Sequence, residues 1–145
     1  RHVRDVDPAT MSPCADYPRR TYLSQPLAED IVLAGPMRLE LFLRATTGQA
    51  GLSVQVYDYD AGRDAPLSFV TFAVARADGL SADTATQLTL ETHSVSHRFR
   101  AGTRIALSLG GSACGYAEVG HPAGTYEVLH GTDAPSRLVF EAVAE

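Results

Sequence analysis

The chain contains no lysine; its twelve basic residues are all arginines, set against seventeen acidic residues, and the formal net charge is −5. Apart from adjacent Arg19 and Arg20 the arginines are scattered singly, so no basic stripe exists to track phosphates and nucleic acid is not expected as a partner. Long apolar runs are also missing. No stretch approaches the ~20 residues of a membrane helix, and a soluble protein is expected. The two cysteines, Cys14 and Cys114, show no metal-binding spacing, which leaves a disulfide and two separate thiols both open. No segment longer than about ten residues holds apolar spacing at i, i+3, i+4 and i+7 throughout, so little helix is expected. The opening RHVRDVDPAT lacks the apolar core of a signal peptide, and a start without Met reads as a piece of a longer polypeptide.

What is present is globular composition, 45% apolar and 20% charged over 145 residues, enough for one domain with its own core. Residues 1–18 mix charges and prolines without periodicity and read as an extended arm or linker; residues 19–145 read as a single domain. The clearest strand periodicity lies in residues 87–109, QLTLETHSVSHRFRAGTRIALSL. A period of two runs up to the turn FRAGTR, then resumes in Ile105, Leu107 and Leu109, which predicts two antiparallel strands joined in a hairpin. Earlier strands are expected at residues 21–24, 30–34, 37–45 and 52–57, and later ones at 126–129 and 137–143. Residues 67–77 are apolar on both parities and read as a central strand. Eight or nine short strands with frequent turn residues predict an all-β protein, a two-sheet sandwich.

Candidate chemistry is thin. Gly110-Gly111-Ser112-Ala113-Cys114 comes near the G-x-S-x-G elbow of serine hydrolases, but the glycines and proline that follow forbid the helix such an elbow opens. It reads as a glycine-rich surface loop, and no base can be assigned to a Cys114 nucleophile. His93 and His97 share a strand face ~13 Å apart, too far to ligate one metal. They read as solvated strand histidines, and His121 and His130 as surface ones. Asp58, Asp60 and Asp64 could offer oxygens to Ca²⁺, but read as residues of a solvated turn. Tyr57 and Tyr59 beside them offer a sugar-binding platform or plain packing, with packing preferred. No cofactor or metal is expected.

Three blocks carry a resemblance. SQPLAEDIVLAGP at residues 24–36, HRFRAGTRIAL at 97–107 and APSRLV at 134–139 resemble, in order, the C-terminal domain of the Xaa-Pro dipeptidyl-peptidase and cocaine-esterase-type (CocE/NonD) serine hydrolase family. Departures are Thr103 where that family usually has His, a shortened turn at residues 58–63, and a divergent segment at 112–124. The resemblance implies a jelly-roll sandwich, similar to galactose-binding-like domains, attached to an α/β-hydrolase domain of the same polypeptide that carries the catalytic Ser, Asp and His. It therefore implies a non-catalytic accessory domain that packs on the hydrolase domain, helps shape its cleft and takes part in a subunit contact. Leu41 and Phe42 occupy the strand that approaches the cleft in such hydrolases. Leu41 is core by parity, and Phe42 is expected to cover a domain interface or line a pocket. The alternative function is a free-standing carbohydrate- or peptide-binding module.

Overall fold

Alternation decides the architecture. In a computed structural model that describes residues 19–111 and 124–143, these residues form eleven strands and no helix. They are β1 (Arg19–Leu23), β2 (Ile31–Gly35), β3 (Arg38–Ala45), β4 (Gln49–Tyr59), β5 (Leu67–Asp78), β6 (Thr86–Glu91), β7 (Val95–Phe99), β8 (Arg104–Gly110), β9 (Tyr126–Val128), β10 (Arg137–Val139) and β11 (Ala142–Val143). One layer is the antiparallel sheet β1-β8-β4-β5. Facing it lie two smaller antiparallel sheets, β10-β3-β6 with β9 also on β3, and β11-β2-β7. The expected sandwich is therefore present, with its second layer divided into two hydrogen-bonded sheets.

The core follows this division. Leu39, Leu41 and Leu43 of β3 pack on Ala50, Leu52 and Val54 of β4 and on Leu109 of β8. Leu33, Met37 and Phe99 pack on Val56, Val70 and Ile105. Both clusters rest on the same face of the large sheet, and Leu107 and Leu138 touch both. A bulge extends that face: Val56 opposes Thr71 while Tyr57 opposes Phe69. Val70 is the extra residue, so it turns inward beside Val56.

Three sequence expectations change. Residues 95–110 form no hairpin, because β7 pairs with β2 while β8 pairs with β1 and β4. The intervening turn carries the chain from one layer to the other. Gly102 takes a positive φ of 82° there, and its N–H donates to the Leu27 carbonyl at 2.8 Å. The Asp30 carboxylate accepts from the Ala101 N–H at 2.8 Å, so segment 24–30 anchors the turn in place of a partner strand. Secondly, among the described residues β5 lies at the edge of its sheet, not at its centre. Its doubled apolarity reflects core on one face and aromatic residues on the other. Thirdly, residues 137–143 split into β10 and β11, which join different sheets.

Leu52 is fully buried between the layers. Leu52→Ala is expected to lower unfolding free energy by about 3 kcal/mol, measured by urea denaturation. An equal change at exposed Arg76 should move it by less than about 0.5 kcal/mol.

Candidate functional site

A cavity of about 300 Å³ opens between the layers on the β1 side of the sandwich. Leu39 and Leu41 form one wall and Ile105, Leu107 and Leu109 the other. Val128, Leu138 and Phe140 close it, while Tyr22, Ser24, His130 and Ser136 are among the residues at its rim. The wall is apolar because β3 and β8 each turn their apolar parity inward. Leu41, expected as core, is thus both core and cavity wall. Phe42 has the opposite parity: half-buried, it sits on the outer face of β3 with Arg38, Glu40 and Arg44. Its backbone is held by Ser136, whose hydroxyl accepts the Phe42 N–H at 2.9 Å.

At the rim the Tyr22 hydroxyl and His130 Nε2 are 3.2 Å apart, their rings edge to face at 5.2 Å. Burial pushes the Tyr22 phenol up, and Arg20 pulls it partly back. Tyr126 is raised more simply, first by burial and then by Tyr22, with Arg19 opposing. Arg19 itself lies across the outer face of the large sheet. Its Nε donates to Ser108 Oγ at 2.7 Å and its terminal nitrogens reach Ser53 Oγ at 3.3 Å, which ties β1 across β8 to β4. Burial draws this guanidinium below its usual range, with Tyr57 and Tyr126 pulling it back up.

The histidines divide. His93 is exposed and stacks near Phe72 at 4.6 Å. His97, expected in solvent, instead turns inward between Val95 and Phe99, and its Nε2 lies 3.0 Å from Asp58 Oδ2. The cause is tertiary: Asp58 shares the inward parity of Val54 and Val56 at the end of β4, opposite β7. The expectation of a solvated Asp58 fails for the same reason, since its residue exposure is 9%. Its Oδ1 is buried with no hydrogen-bond partner among the described residues. Asp58 and His97 resemble two thirds of a hydrolytic triad, yet no hydroxyl bonds His97 among the described residues. Its work here is to clasp the two layers.

Asp60 behaves as a turn residue, accepting from the Gly62 N–H at 3.0 Å and pairing with Arg63 at 3.1 Å. Among the described residues no three His, Cys, Asp or Glu side chains converge on a metal position. Tyr57 is 6% exposed, and its hydroxyl donates to Gln55 Oε1 at 2.9 Å, so it offers no flat platform to a sugar. Ser112, Cys14, Cys114 and His121 lie outside the described residues. A feature that sequence reasoning missed is the outer face of β5. Phe69 is 41% and Val74 38% exposed there, with Phe69 edge to face on Tyr57 at 5.8 Å and near Phe72 at 6.3 Å. The doubled apolarity of residues 67–77 was its signal. Among the described residues no helix is long and apolar enough to cross a membrane.

Two predictions follow from these groups. Removing the imidazole in His97→Ala strands a buried carboxylate, and should cost about 2 kcal/mol at pH 7. Asp58→Asn should cost less, because a neutral amide is cheaper to bury than a carboxylate; urea denaturation of both variants distinguishes them. A phenol raised in the folded state contributes stability that is full below its unfolded pKa, near 10.0. That contribution is lost as pH rises through the folded value. Stability should therefore decline above about pH 10, and Tyr126→Phe should flatten the decline in denaturation curves taken across that range.

Comparison with known proteins agrees with this geometry. Residues 2–143 match the family described as the X-Pro dipeptidyl-peptidase C-terminal non-catalytic domain. No curated protein sequence matches the chain. Among solved structures, it is similar to an alpha-amino acid ester hydrolase at a TM-score of 0.74 and 14% identity, covering 86% of this chain and 25% of that one. An aminopeptidase from the marine sediment archaeon Thaumarchaeota archaeon gives 0.75 and 16%, covering 95% of this chain and 27% of that one. A CocE/NonD family hydrolase from Staphylococcus aureus gives 0.69 and 16%, covering 86% and 30%. The chain thus spans between a quarter and a third of the length of these structures.

Proposed function

The chain belongs to the family of X-Pro dipeptidyl-peptidase C-terminal non-catalytic domains, and from that premise we propose that it is the accessory domain of a serine hydrolase. The parent would cleave Xaa-Pro peptides or carboxylic esters and amides, with its Ser, Asp and His on an α/β-hydrolase domain of the same polypeptide. Residues 19–145 would be the accessory domain, and 1–18 the arm that leads into it. The observation that carries this is the disparity in coverage: 86% or more of this chain aligns with 30% or less of each hydrolase compared.

The outer faces of the sandwich suggest how the domain would pack. On β3 and its neighbours that face is charged, with Arg38 and Arg137 both paired to Glu40 at 3.2 and 3.0 Å, a pattern suited to water. Phe42 is the apolar exception. The outer face of β5 carries Phe69 and Val74, large apolar residues that a monomer seldom exposes together. Phe42, Phe69 and Val74 are the side chains assigned to contact with the hydrolase domain, while Leu41 keeps the underlying wall in place.

Hydrolysis of an Xaa-Pro anilide and a short-chain aryl ester, measured for this chain and for the complete parent side by side, tests the proposal. Activity is expected in the parent and none in the chain. Phe69→Asp should cost the chain itself about 1 kcal/mol through the lost ring contacts with Tyr57 and Phe72, and should lower the parent's thermal midpoint by more than it lowers the chain's own. Hydrolysis by the chain alone, or a parent without either activity, would sink it.

A further inference from the structure

Protein interiors are close-packed, with few voids larger than a water molecule. The space between β3 and β8, about 300 Å³, is roughly twice the ~150 Å³ of an apolar cavity that accepts benzene. Its walls are leucine, isoleucine, valine and phenylalanine, and among the described residues no aspartate or glutamate lines it. Among the described residues its polar lining is Tyr22, Ser24, His130, Ser136 and Arg137, and the Tyr22 hydroxyl and His130 Nε2 meet there at 3.2 Å. Apolar walls with a few convergent polar groups are what a small-molecule site requires.

The charge beside that rim is positive. Arg20 and Tyr22 lie two apart on β1, opposite Leu109 and Leu107 of β8, so both project to the cavity side of the strand. Arg20 is exposed and forms no ion pair among the described residues. Its charge also bears on the Tyr22 phenol, opposing the effect of burial. Arg137 lines the cavity and is engaged through Nε with Glu40 at 3.0 Å on the outer face; Arg20 stands just outside the lining, two residues from Tyr22 on the cavity side of β1, and is taken as the counter-charge.

We infer that this cavity binds a small amphipathic carboxylic acid, its hydrocarbon body between the leucines and its carboxylate at the Tyr22–His130 rim beside Arg20. The volume suits a flexible chain of about ten carbons or two small rings, scaled from the benzene case. Selectivity resides in the head group: an alcohol keeps the hydrocarbon contact and loses the charge, and an ammonium meets Arg20 with like charge. The cavity lies wholly within this chain, so its chemistry does not depend on the accessory role.

Decanoate, 1-decanol and decylammonium, each below its aggregation limit, are titrated calorimetrically into the 145-residue chain. Methyl signals of Leu107, Val128 and Leu138 are followed by NMR. Decanoate is expected to saturate and to shift those methyls, and to bind roughly tenfold tighter than decanol, as one charge-assisted hydrogen bond implies. Arg20→Gln should bring decanoate to the affinity of decanol and leave decanol unchanged. Leu107→Phe fills the space and should abolish both; should that variant not fold, the methyl map of the unaltered chain decides. No saturable binding, shifts confined to other methyls, decylammonium equal to decanoate, or decanoate indifferent to Arg20→Gln would each overturn the assignment. If a methyl shift appears only with the hydrolase domain added, the cavity seats a protein side chain and the acid is likewise overturned.

Discussion

Everything in this domain depends on one apolar face, the inner side of the sheet β1-β8-β4-β5, finding cover along its full length. That face is longer than either of the two small sheets opposite it. Leu39, Leu41 and Leu43 cover one end and Leu33, Met37 and Phe99 the other, and among the described residues only Leu107 and Leu138 touch both clusters. Burial of this kind is non-directional, so it fixes the pairing of layers without dictating hydrogen bonds across their junction. The divided second layer is the consequence. Covering strands need only match the face, and two short ladders do so as well as one wide sheet.

The junctions where the layers meet are instead held by polar groups: Asp58, His97 and Thr71, which strand parity sends inward, and Asp30, exposed beside a turn. Asp58 and His97 clasp β4 to β7 at 3.0 Å. Thr71 Oγ1 donates to the His93 carbonyl at 2.7 Å, tying the edge strand β5 to the loop after β6. Asp30 holds the turn before β8. Such contacts contribute little net energy each, but they are directional, and they set the angle at which the apolar faces meet. A structural clasp accounts for the Asp–His pair here: among the described residues no hydroxyl bonds the imidazole, whose Nε2 is given to Asp58.

The cavity follows from the same geometry. Among the described residues, the large sheet has beyond β8 only five-residue β1, and the facing layer has beyond β3 only the three-residue strands β9 and β10. The layers run out of matched strand at this side, so leucines on each face lack complete partners. Tyr22, with an apolar ring and a polar tip, sits at the boundary where such residues are favoured. Family membership and the site lie on different levels of inference. Membership speaks to the fold and a non-catalytic role, while the rim's charge and the wall's apolarity are read from this chain's own residues.

Local pattern was enough to locate most strands. Period-two apolarity at Met37 to Leu43 and at Ile105 to Leu109 fixed both the strands and their buried faces, because side-chain direction alternates whatever the partner. The absence of helical spacing settled the class, and three short blocks carried the family resemblance, even with Thr103 and the turn at 58–63 diverging. Pairing was not legible in the same way. A turn such as FRAGTR is compatible with a hairpin or with an arch between layers, and only the anchoring of that turn by Asp30 and Leu27 chose the arch. The apolarity of residues 67–77 was visible, but not whether its second face met a neighbouring strand or lay open at an edge. Asp58 and His97, thirty-nine positions apart, became a pair because a face assigned by local parity turned out to be opposite another. Sequence determines which way each side chain points along its own strand; which strand it then meets depends on long-range burial, and that is decided only when the layers close.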